Sequence, residues 1–189
     1  VKVNIIIFGP PGAGKGTQAK YLVEKFNSFQ VSTGDMLRDE IKKDTDIGKK
    51  IINCMNDGKF VEDEIVNKLL EKNIFDINKK NKLIFDGYPR TINQAKNLES
   101  LLSKSSQKLN FVFFLNVDKE TIVKRIEKRK ILEKRSDDDA ATILKRYDTY
   151  MEITKPILDY YSTNPNFYEL DGSMEIEDIS QKIEEIVSE

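Results

Sequence analysis

Residues 9–17 read Gly-Pro-Pro-Gly-Ala-Gly-Lys-Gly-Thr, and they connect an apolar run at residues 1–8 to an amphipathic stretch at Lys15–Phe26. The apolar run is rich in β-branched residues and has no charge after Lys2, which is typical of a strand buried on both faces of a parallel sheet. The stretch that follows has apolar residues at helical spacing. A glycine-rich loop between a buried strand and a helix is the arrangement of a phosphate-binding loop. These residues therefore predict an α/β fold with an anion site at its first loop.

The loop has the chemistry that a phosphate requires. Its glycines let successive backbone N–H groups turn inward, and the N-terminus of the following helix adds the positive end of its dipole. Lys15 adds a mobile cation that can follow the terminal phosphates of a nucleotide.

Further along the chain, apolar segments with the length of strands alternate with amphipathic helical stretches. These segments are residues 29–31, 83–85, 111–117 and 167–170. Alternation of this kind predicts a mainly parallel sheet with helices on its faces. The expected fold is a three-layer α/β P-loop fold, in which helices flank a parallel five-stranded central sheet.

A helical insertion interrupts this alternation. Residues 34–75 contain several helical patterns and no strand pattern, which is more chain than one crossover connection needs. We place the boundaries of the insertion at about residues 32–75.

A charged segment interrupts the alternation a second time. Residues 129–138 have no apolar period and predict a loop or short lid. A helix at residues 119–128 precedes it, and a long helix from 140 to about 161, bent at Pro156, follows it. The core of the single domain is then expected to comprise residues 1–31, 76–128 and 139–189.

Composition excludes several classes of protein. The chain has 189 residues, which at about 150 residues per domain predicts one domain. Its 31 basic and 32 acidic residues give a net charge of −1, so we expect neither nucleic acid nor a membrane as partner. The absence of histidine and the single Cys54 exclude histidine triads and a zinc site built from several cysteines.

We also expect a cytoplasmic protein that is a monomer. A single cysteine fits a reducing compartment. The sequence opens directly in a strand pattern, which leaves no room for a secretory signal, although a cleaved organellar presequence would leave no trace.

Arginine is rare among the 31 basic residues, most of which are lysines. The arginines are Arg38, Arg90, Arg125, Arg129, Arg135 and Arg146. The planar guanidinium binds phosphate oxygens in pairs, which the ammonium group of lysine cannot do. Arginines that persist in a lysine-rich chain therefore indicate phosphate contacts.

The glycine-rich loop departs from the usual pattern, because Gly16 and not Ser or Thr follows Lys15. The form Gly-x-Pro-Gly-x-Gly-Lys-Gly-Thr is similar to that of nucleoside monophosphate kinases. More motifs follow: Ser-Thr-Gly-Asp-Met-Leu-Arg at 32–38, Phe-Asp-Gly-Tyr-Pro-Arg-Thr at 85–91, Gln-Ala at 94–95, an arginine at each end of 125–129, and Arg-Ser-Asp-Asp at 135–138. In the order and spacing of these motifs, essentially the whole chain resembles the adenylate kinase family in its short-lid form.

The resemblance implies reversible, Mg²⁺-dependent transfer of the γ-phosphoryl group of ATP to AMP, which gives two ADP. It places the ATP site at Gly12, Ala13, Gly14, Lys15, Gly16, Thr17, Arg125, Arg129 and Gly172. It places the AMP site at Thr33, Arg38, Lys59, Phe60, Val61, Gly87, Tyr88, Pro89, Arg90, Gln94, Arg135 and Arg146. It gives catalytic roles to Lys15, Arg90, Arg129, Arg135 and Arg146, a water-mediated contact with Mg²⁺ to Asp86, and support of the lid to Asp137 and Asp138.

A chain without histidine can carry out this chemistry. The acceptor is a phosphate whose second pKa is about 6, so it is largely deprotonated and already nucleophilic near neutral pH. No general base is required, and positioning and charge stabilisation suffice.

Two alternatives stay open on the sequence alone. A UMP/CMP kinase of the same fold typically has Ala where this chain has Thr33, and Asn at the position of Gln94. A glutamine amide can match the N1 acceptor and the exocyclic amine of adenine, so Gln94 favours AMP. A non-catalytic nucleotide-binding protein would keep the phosphate loop but would not need the acceptor-site residues Arg38 and Arg90.

Overall fold

The structure is a computed structural model that describes residues 1–57, 59, 61–133 and 140–189. Its strands are β1 (Ile5–Phe8), β2 (Phe29–Ser32), β3 (Leu83–Asp86), β4 (Phe111–Asn116) and β5 (Phe167–Asp171). They form one sheet in the order β2-β3-β1-β4-β5, and each neighbouring pair is parallel. The predicted five-stranded parallel sheet is confirmed.

Helices cover both faces of the sheet. Within the described ranges they are α1 (Lys15–Phe26), α2 (Thr33–Lys42), α3 (Asp46–Asn56), α4 (Asp63–Ile74), α5 (Ile92–Lys104), α6 (Lys119–Glu133), α7 (Ala140–Ile153), α8 (Lys155–Ser162) and α9 (Ile176–Ser188), with a short 3-10 helix at Ile77–Lys79. In the part of the chain that the structure describes, no helix has both the length and the apolar character needed to cross a lipid bilayer.

The central strand β1 explains the three layers. All its side chains are buried, as expected for a strand covered on both faces. Ile6 and Phe8 join a core cluster with α4, α5 and α8, whereas Ile5 and Ile7 join a second cluster with α1, α6 and α9. The alternation of side chains along β1 thus builds one hydrophobic core on each face. The strand begins at Ile5, later than the sequence pattern predicted.

The predicted helical insertion consists of α2, α3 and α4, and no strand lies between β2 and β3 among the described residues. α2 starts immediately after β2, where the Ser32 side chain caps it by accepting a hydrogen bond from the Asp35 N–H at 3.3 Å. The Thr45 side chain caps α3 in the same way through the Gly48 N–H at 3.0 Å. Local capping residues therefore divide the insertion into separate helices.

The helices near the predicted lid differ from the sequence prediction. α6 continues to Glu133 instead of ending at residue 128, so the first part of the 129–138 segment is helical. Lys, Arg, Leu and Glu have good helix propensity, which lets the helix continue without an apolar face. Ile131 and Leu132 are accordingly exposed there.

The long helix predicted for residues 140–161 is interrupted at Thr154, where α7 ends and α8 begins. Pro156 lies in the first turn of α8, where a missing N–H costs no hydrogen bond. The sequence placed a bend at this proline, and the structure places a break just before it.

Neutral amides connect the strands at the amino-terminal edge of the sheet. Asn4 is fully buried; its Nδ2 donates to the Lys108 carbonyl at 2.9 Å, and its Oδ1 accepts from the Leu83 N–H at 3.0 Å. Gln107 Oε1 accepts from Asn4 Nδ2 at 3.3 Å, and Gln107 Nε2 donates to the Ile74 carbonyl at 2.9 Å. The side chain of Asn4 thus pairs with the buried N–H of Leu83 and with the partly buried carbonyl of Lys108.

We expect Asn4→Ala to lower the free energy of unfolding by about 2–4 kcal/mol, because it leaves the buried N–H of Leu83 without its acceptor and the carbonyl of Lys108 without its donor. Urea denaturation followed by circular dichroism measures the change. Asn53→Ala is the control, since Asn53 is exposed on α3. Equal stabilities of the two variants would contradict the role of Asn4.

Candidate active site

Loops that follow the carboxyl ends of the strands form a cleft. β1 ends at the glycine-rich loop, β3 ends at Asp86 before Gly87, and β5 ends at Asp171 before Gly172. Ligands of open parallel α/β sheets bind at this edge. Two adjoining cavities of about 270 Å³ and 700 Å³ occupy it.

The glycine-rich loop presents its backbone to the larger cavity. Gly12 and Gly14 have φ angles of +81° and +93°, which residues with a Cβ rarely adopt. Gly14 is the N-cap residue of α1 and offers no side chain to the N–H groups of the first turn. A phosphate is the natural partner for those N–H groups.

Lys15 lies at the centre of a cluster of positive charge. Its ammonium donates to the carbonyls of Gly9 at 2.9 Å and Pro10 at 3.1 Å. Burial lowers the pKa of Lys15 to about 8, and the positive charges of Arg90, Arg146 and Arg129 act in the same direction. The negative charge of Asp86 acts in the opposite direction and raises the pKa of Lys15.

Arg90 belongs to the same cluster. Burial lowers the pKa of its guanidinium to about 10, and Arg146 and Arg38 contribute to that shift. Arg90 Nε donates to the Gly87 carbonyl at 2.8 Å, which fixes the side chain at the end of β3. The fold therefore collects Lys15 and several of the arginines that the sequence singled out.

Asp86 is the carboxylate that faces this cluster. Its Oδ2 accepts a hydrogen bond from Gln30 Nε2 at 3.0 Å, and burial raises the pKa of the carboxyl while nearby Lys15 lowers it. Asp86 and Thr17 line the larger cavity together. No group of three or more potential metal-ligating side chains occurs within the described ranges. One carboxylate and one hydroxyl fit Mg²⁺, which keeps several waters and takes its other ligands from phosphates.

The predicted residues line the two cavities, and several of them line both. The larger cavity is lined by every residue predicted for ATP: Gly12, Ala13, Gly14, Lys15, Gly16, Thr17, Arg125, Arg129 and Gly172. The smaller is lined by the described residues predicted for AMP: Thr33, Arg38, Lys59, Val61, Gly87, Tyr88, Pro89, Arg90, Gln94 and Arg146. Phe60, Arg135, Asp137 and Asp138 lie outside the described residues.

Arg125 is fixed at one side of the larger cavity. Its guanidinium donates to the Gly172 carbonyl at 2.5 Å and to the Ala13 carbonyl at 3.4 Å. A Cβ at Gly172 would lie 2.5 Å from Val117 Cγ2, so the close approach of this loop requires glycine. These contacts connect the phosphate loop to the segment after β5.

Gln94 is buried at the far wall of the smaller cavity, and both ends of its amide are engaged. Oε1 accepts from the Arg90 N–H at 2.7 Å, and Nε2 donates to Asp63 Oδ1 at 2.7 Å. Asp63 was not singled out by the sequence analysis. Its only sequence signal is an acidic residue in the first turn of α4, which by itself indicates no more than a favourable helix terminus.

Tyr150 is a second residue that the sequence analysis missed. It lies on α7, lines the smaller cavity and is only 6% exposed. Its hydroxyl has no hydrogen-bond partner in the part of the chain that the structure describes. Burial raises its pKa, so the group is a neutral donor at physiological pH. A polar atom buried beside a cavity without a partner is suited to a polar ligand.

Comparisons with known proteins agree with this geometry. A family model described as adenylate kinase matches residues 7–166. The adenylate kinase of Pelagibacter ubique (strain HTCC1062) is 46% identical over an alignment that covers 98% of this chain and 99% of that protein. The adenylate kinase of Caulobacter sp. (strain K31) is 40% identical over 98% of both chains. That of Mycoplasma mycoides subsp. mycoides SC is 41% identical over 89% of this chain and 91% of its own length.

We expect the free energy of unfolding of the unmodified protein to rise, relative to that of Lys15→Met, by about 1–3 kcal/mol between pH 8 and pH 10.5. The native lysine loses its proton near pH 8, whereas the unfolded chain keeps it until about pH 10.5, so the unmodified protein gains stability as pH rises through this window. Urea denaturation at a series of pH values measures the difference.

Lys20→Met is the matched control, because Lys20 is an exposed lysine on the same helix. Its stability relative to the unmodified protein should not change over this pH window. A constant difference for Lys15→Met would contradict the lowered pKa.

Proposed function

The chain belongs to the adenylate kinase family, and from this we propose that its larger cavity binds ATP, its smaller cavity binds AMP, and the γ-phosphoryl group passes directly between them. Members of the family are nucleoside monophosphate kinases that catalyse ATP-dependent phosphoryl transfer. One observation carries the proposal for this chain. The two cavities meet at Lys15, Arg38, Arg90 and Arg146, so the cations lie where donor and acceptor phosphates would come together.

Electrostatics explains why the cations must lie at this junction. At 4 Å, even a well-screened pair of unit charges repels by about 1–4 kcal/mol, and two nucleotides bring several such charges together. Lys15 and the arginines offset this repulsion and stabilise the charge that develops on the moving phosphoryl group. The AMP phosphate is its own nucleophile, so the absence of a histidine base does not hinder the reaction.

On the ATP side, we propose that the glycine-rich loop holds the phosphates and that Arg125 lies against the adenine. Mg²⁺ bound with ATP would neutralise phosphate charge. Asp86 would hold it through water, and Thr17, which lines the same cavity, offers a hydroxyl. We expect no structural zinc.

On the AMP side, Arg38 and Arg90 are proposed to bind the phosphate, and Gln94 and Thr33 the base. Thr33 Oγ1 donates to the Gly87 carbonyl at 3.1 Å, the same carbonyl that Arg90 Nε contacts. Base and phosphate contacts therefore depend on one short segment after β3. Thr33 and Gln94, where UMP/CMP kinases typically have Ala and Asn, favour AMP over the pyrimidine nucleotides of that alternative. An acceptor site lined by arginines argues against a non-catalytic protein.

We propose that residues 129–138 act as a lid that excludes water from the phosphoryl transfer, that Arg129 and Arg135 act on the transferring phosphates, and that Asp137 and Asp138 support the lid. Water would otherwise compete with AMP for the phosphoryl group. We propose that the protein is a monomer. The unpaired Cys54 supports a cytoplasmic location, and neither nucleic acid nor a membrane is an expected partner.

A coupled assay for ADP formation from ATP and AMP tests the proposed function. The unmodified protein should form ADP, and Lys15→Met should lower kcat/KM by at least about 10³-fold, because a charge that follows the moving phosphoryl group is lost. Arg90→Lys should also be severe although it keeps the charge, since the paired geometry of the guanidinium is lost. Near-normal activity of Lys15→Met would refute the assignment.

We expect Tyr150→Phe to raise the KM for AMP by about 3–10-fold and to spare the KM for ATP, because the unpaired hydroxyl would donate to AMP. Tyr161→Phe is the matched control: its hydroxyl is also buried without a partner among the described residues, but it does not line the cavity. Equal KM values for AMP in the two variants would contradict a contact between Tyr150 and AMP.

A further inference from the structure

We propose that Asp63 is a positioning residue that, through Gln94, determines which bases bind in the smaller cavity. It fixes the order of donor and acceptor on the Gln94 amide. That order suits a base with a ring acceptor beside an exocyclic amine and opposes a base with a ring N–H beside a carbonyl. The inference rests on the proposed function of the smaller cavity as the site of a nucleoside monophosphate.

The two contacts of the Gln94 side chain lie at opposite ends of its amide. The Arg90 N–H donates to Oε1 at 2.7 Å, and Nε2 donates to Asp63 Oδ1 at 2.7 Å. Gln94 is 4% exposed and lines the smaller cavity. Both hydrogen bonds are short, and a buried side chain has little freedom to exchange them for water.

These partners define the orientation of the amide. A glutamine amide rotated by a half turn exchanges its acceptor and its donors while keeping almost the same shape. A carboxylate can only accept a hydrogen bond, and a backbone N–H can only donate one. In the rotated amide, Oε1 would face the oxygen of Asp63, and Nε2 would face the N–H of Arg90. Both contacts would be lost at once, so a single orientation is favoured.

The remaining hydrogen-bond donor and acceptor of the Gln94 amide then have fixed positions. Nε2 keeps a second hydrogen, and Oε1 keeps a second lone pair, each beside the end already engaged. Adenine and cytosine present a ring acceptor beside an amine, which fits this order. Hypoxanthine, guanine and uracil present a ring N–H beside a carbonyl, which fits only the rotated amide. Asp63 therefore contributes to selection by hydrogen-bond pattern, in addition to selection by size.

The fold also explains why Asp63 acts only in the assembled site. Asp63 is the first residue of α4 in the helical insertion, whereas Gln94 lies in the first turn of α5. A second contact joins the same helices, because Asn97 Nδ2 donates to Asn67 Oδ1 at 2.9 Å. Among the described residues, Asn67 has no hydrogen bond to the Gln94 side-chain amide and does not line the smaller cavity, although its Oδ1 also accepts from the Tyr88 hydroxyl at 3.3 Å. It therefore offers a matched control for loss of a contact between α4 and α5.

The test compares AMP with inosine monophosphate, whose base differs from adenine in this hydrogen-bonding edge. With ATP as donor, kcat/KM is measured for both acceptors in the unmodified protein, Asp63→Asn and Asn67→Ala. Where turnover of inosine monophosphate is too slow to measure, the ratio of dissociation constants from calorimetric titration replaces it. An asparagine at position 63 can donate as well as accept, so it no longer opposes the rotated amide.

We expect the preference for AMP over inosine monophosphate, measured as the ratio of their kcat/KM values, to fall about 10-fold in Asp63→Asn, because about one hydrogen bond of the recognition is lost. The KM for ATP should change less than about twofold. Asn67→Ala should keep the preference of the unmodified protein, even if its melting temperature falls. In a Gln94→Leu background, Asp63→Asn should have no further effect on the preference, because Asp63 acts only through Gln94.

An unchanged preference in Asp63→Asn, or an equal change in Asn67→Ala, would overturn the inference. If Asp63→Asn does not fold, Asp63→Ser removes the carboxylate with a smaller side chain and is judged by the same criterion. Failure of the unmodified protein to form ADP from ATP and AMP would instead refute the proposed function, so the two failures can be distinguished.

Discussion

A cluster of like charges at the carboxyl edge of the sheet is the constraint on which the rest of the structure depends. Lys15, Arg90 and Arg146 repel one another, and burial increases the free-energy cost of each charge, as the lowered pKa values of Lys15 and Arg90 show. Backbone carbonyls of Gly9 and Gly87 accept hydrogen bonds from this cluster, and Asp86 supplies an opposing charge. Anionic phosphates would complete the neutralisation, so the arrangement favours ligand binding over an empty cleft.

The two ends of the sheet therefore contain different polar chemistry. At the amino-terminal edge, neutral amides such as Asn4 and Gln107 satisfy one another and nearby backbone groups. At the carboxyl edge, Lys15, Arg90 and Tyr150 retain charge or hydrogen-bonding capacity. A fully satisfied network stabilises the fold, whereas an incompletely neutralised one can bind a ligand.

The helical insertion contacts the residues that we propose to bind the base and the phosphate of the acceptor nucleotide. Gln94 contacts Asp63 of the insertion through its amide nitrogen and the backbone of Arg90 through its oxygen. The Arg90 side chain in turn contacts the Gly87 carbonyl at the end of β3. A change in how α4 packs against α5 would therefore move the proposed base contact of Gln94 and the proposed phosphate contact of Arg90 together.

The sequence by itself determined the strands, the phosphate loop, the helical insertion and the motif residues that now line the two cavities, because each depends on local spacing or on a residue type at a fixed position. It did not determine that α6 continues to Glu133, since helix propensity without an apolar face leaves no periodic signal. It also gave no indication of Asp63, whose carboxylate is distant in sequence from Gln94 yet lies 2.7 Å from its amide, or of the unpaired hydroxyl of Tyr150. Contacts of this kind form only when separate helices pack together, and a pattern along the chain carries no information about which side chains will then meet.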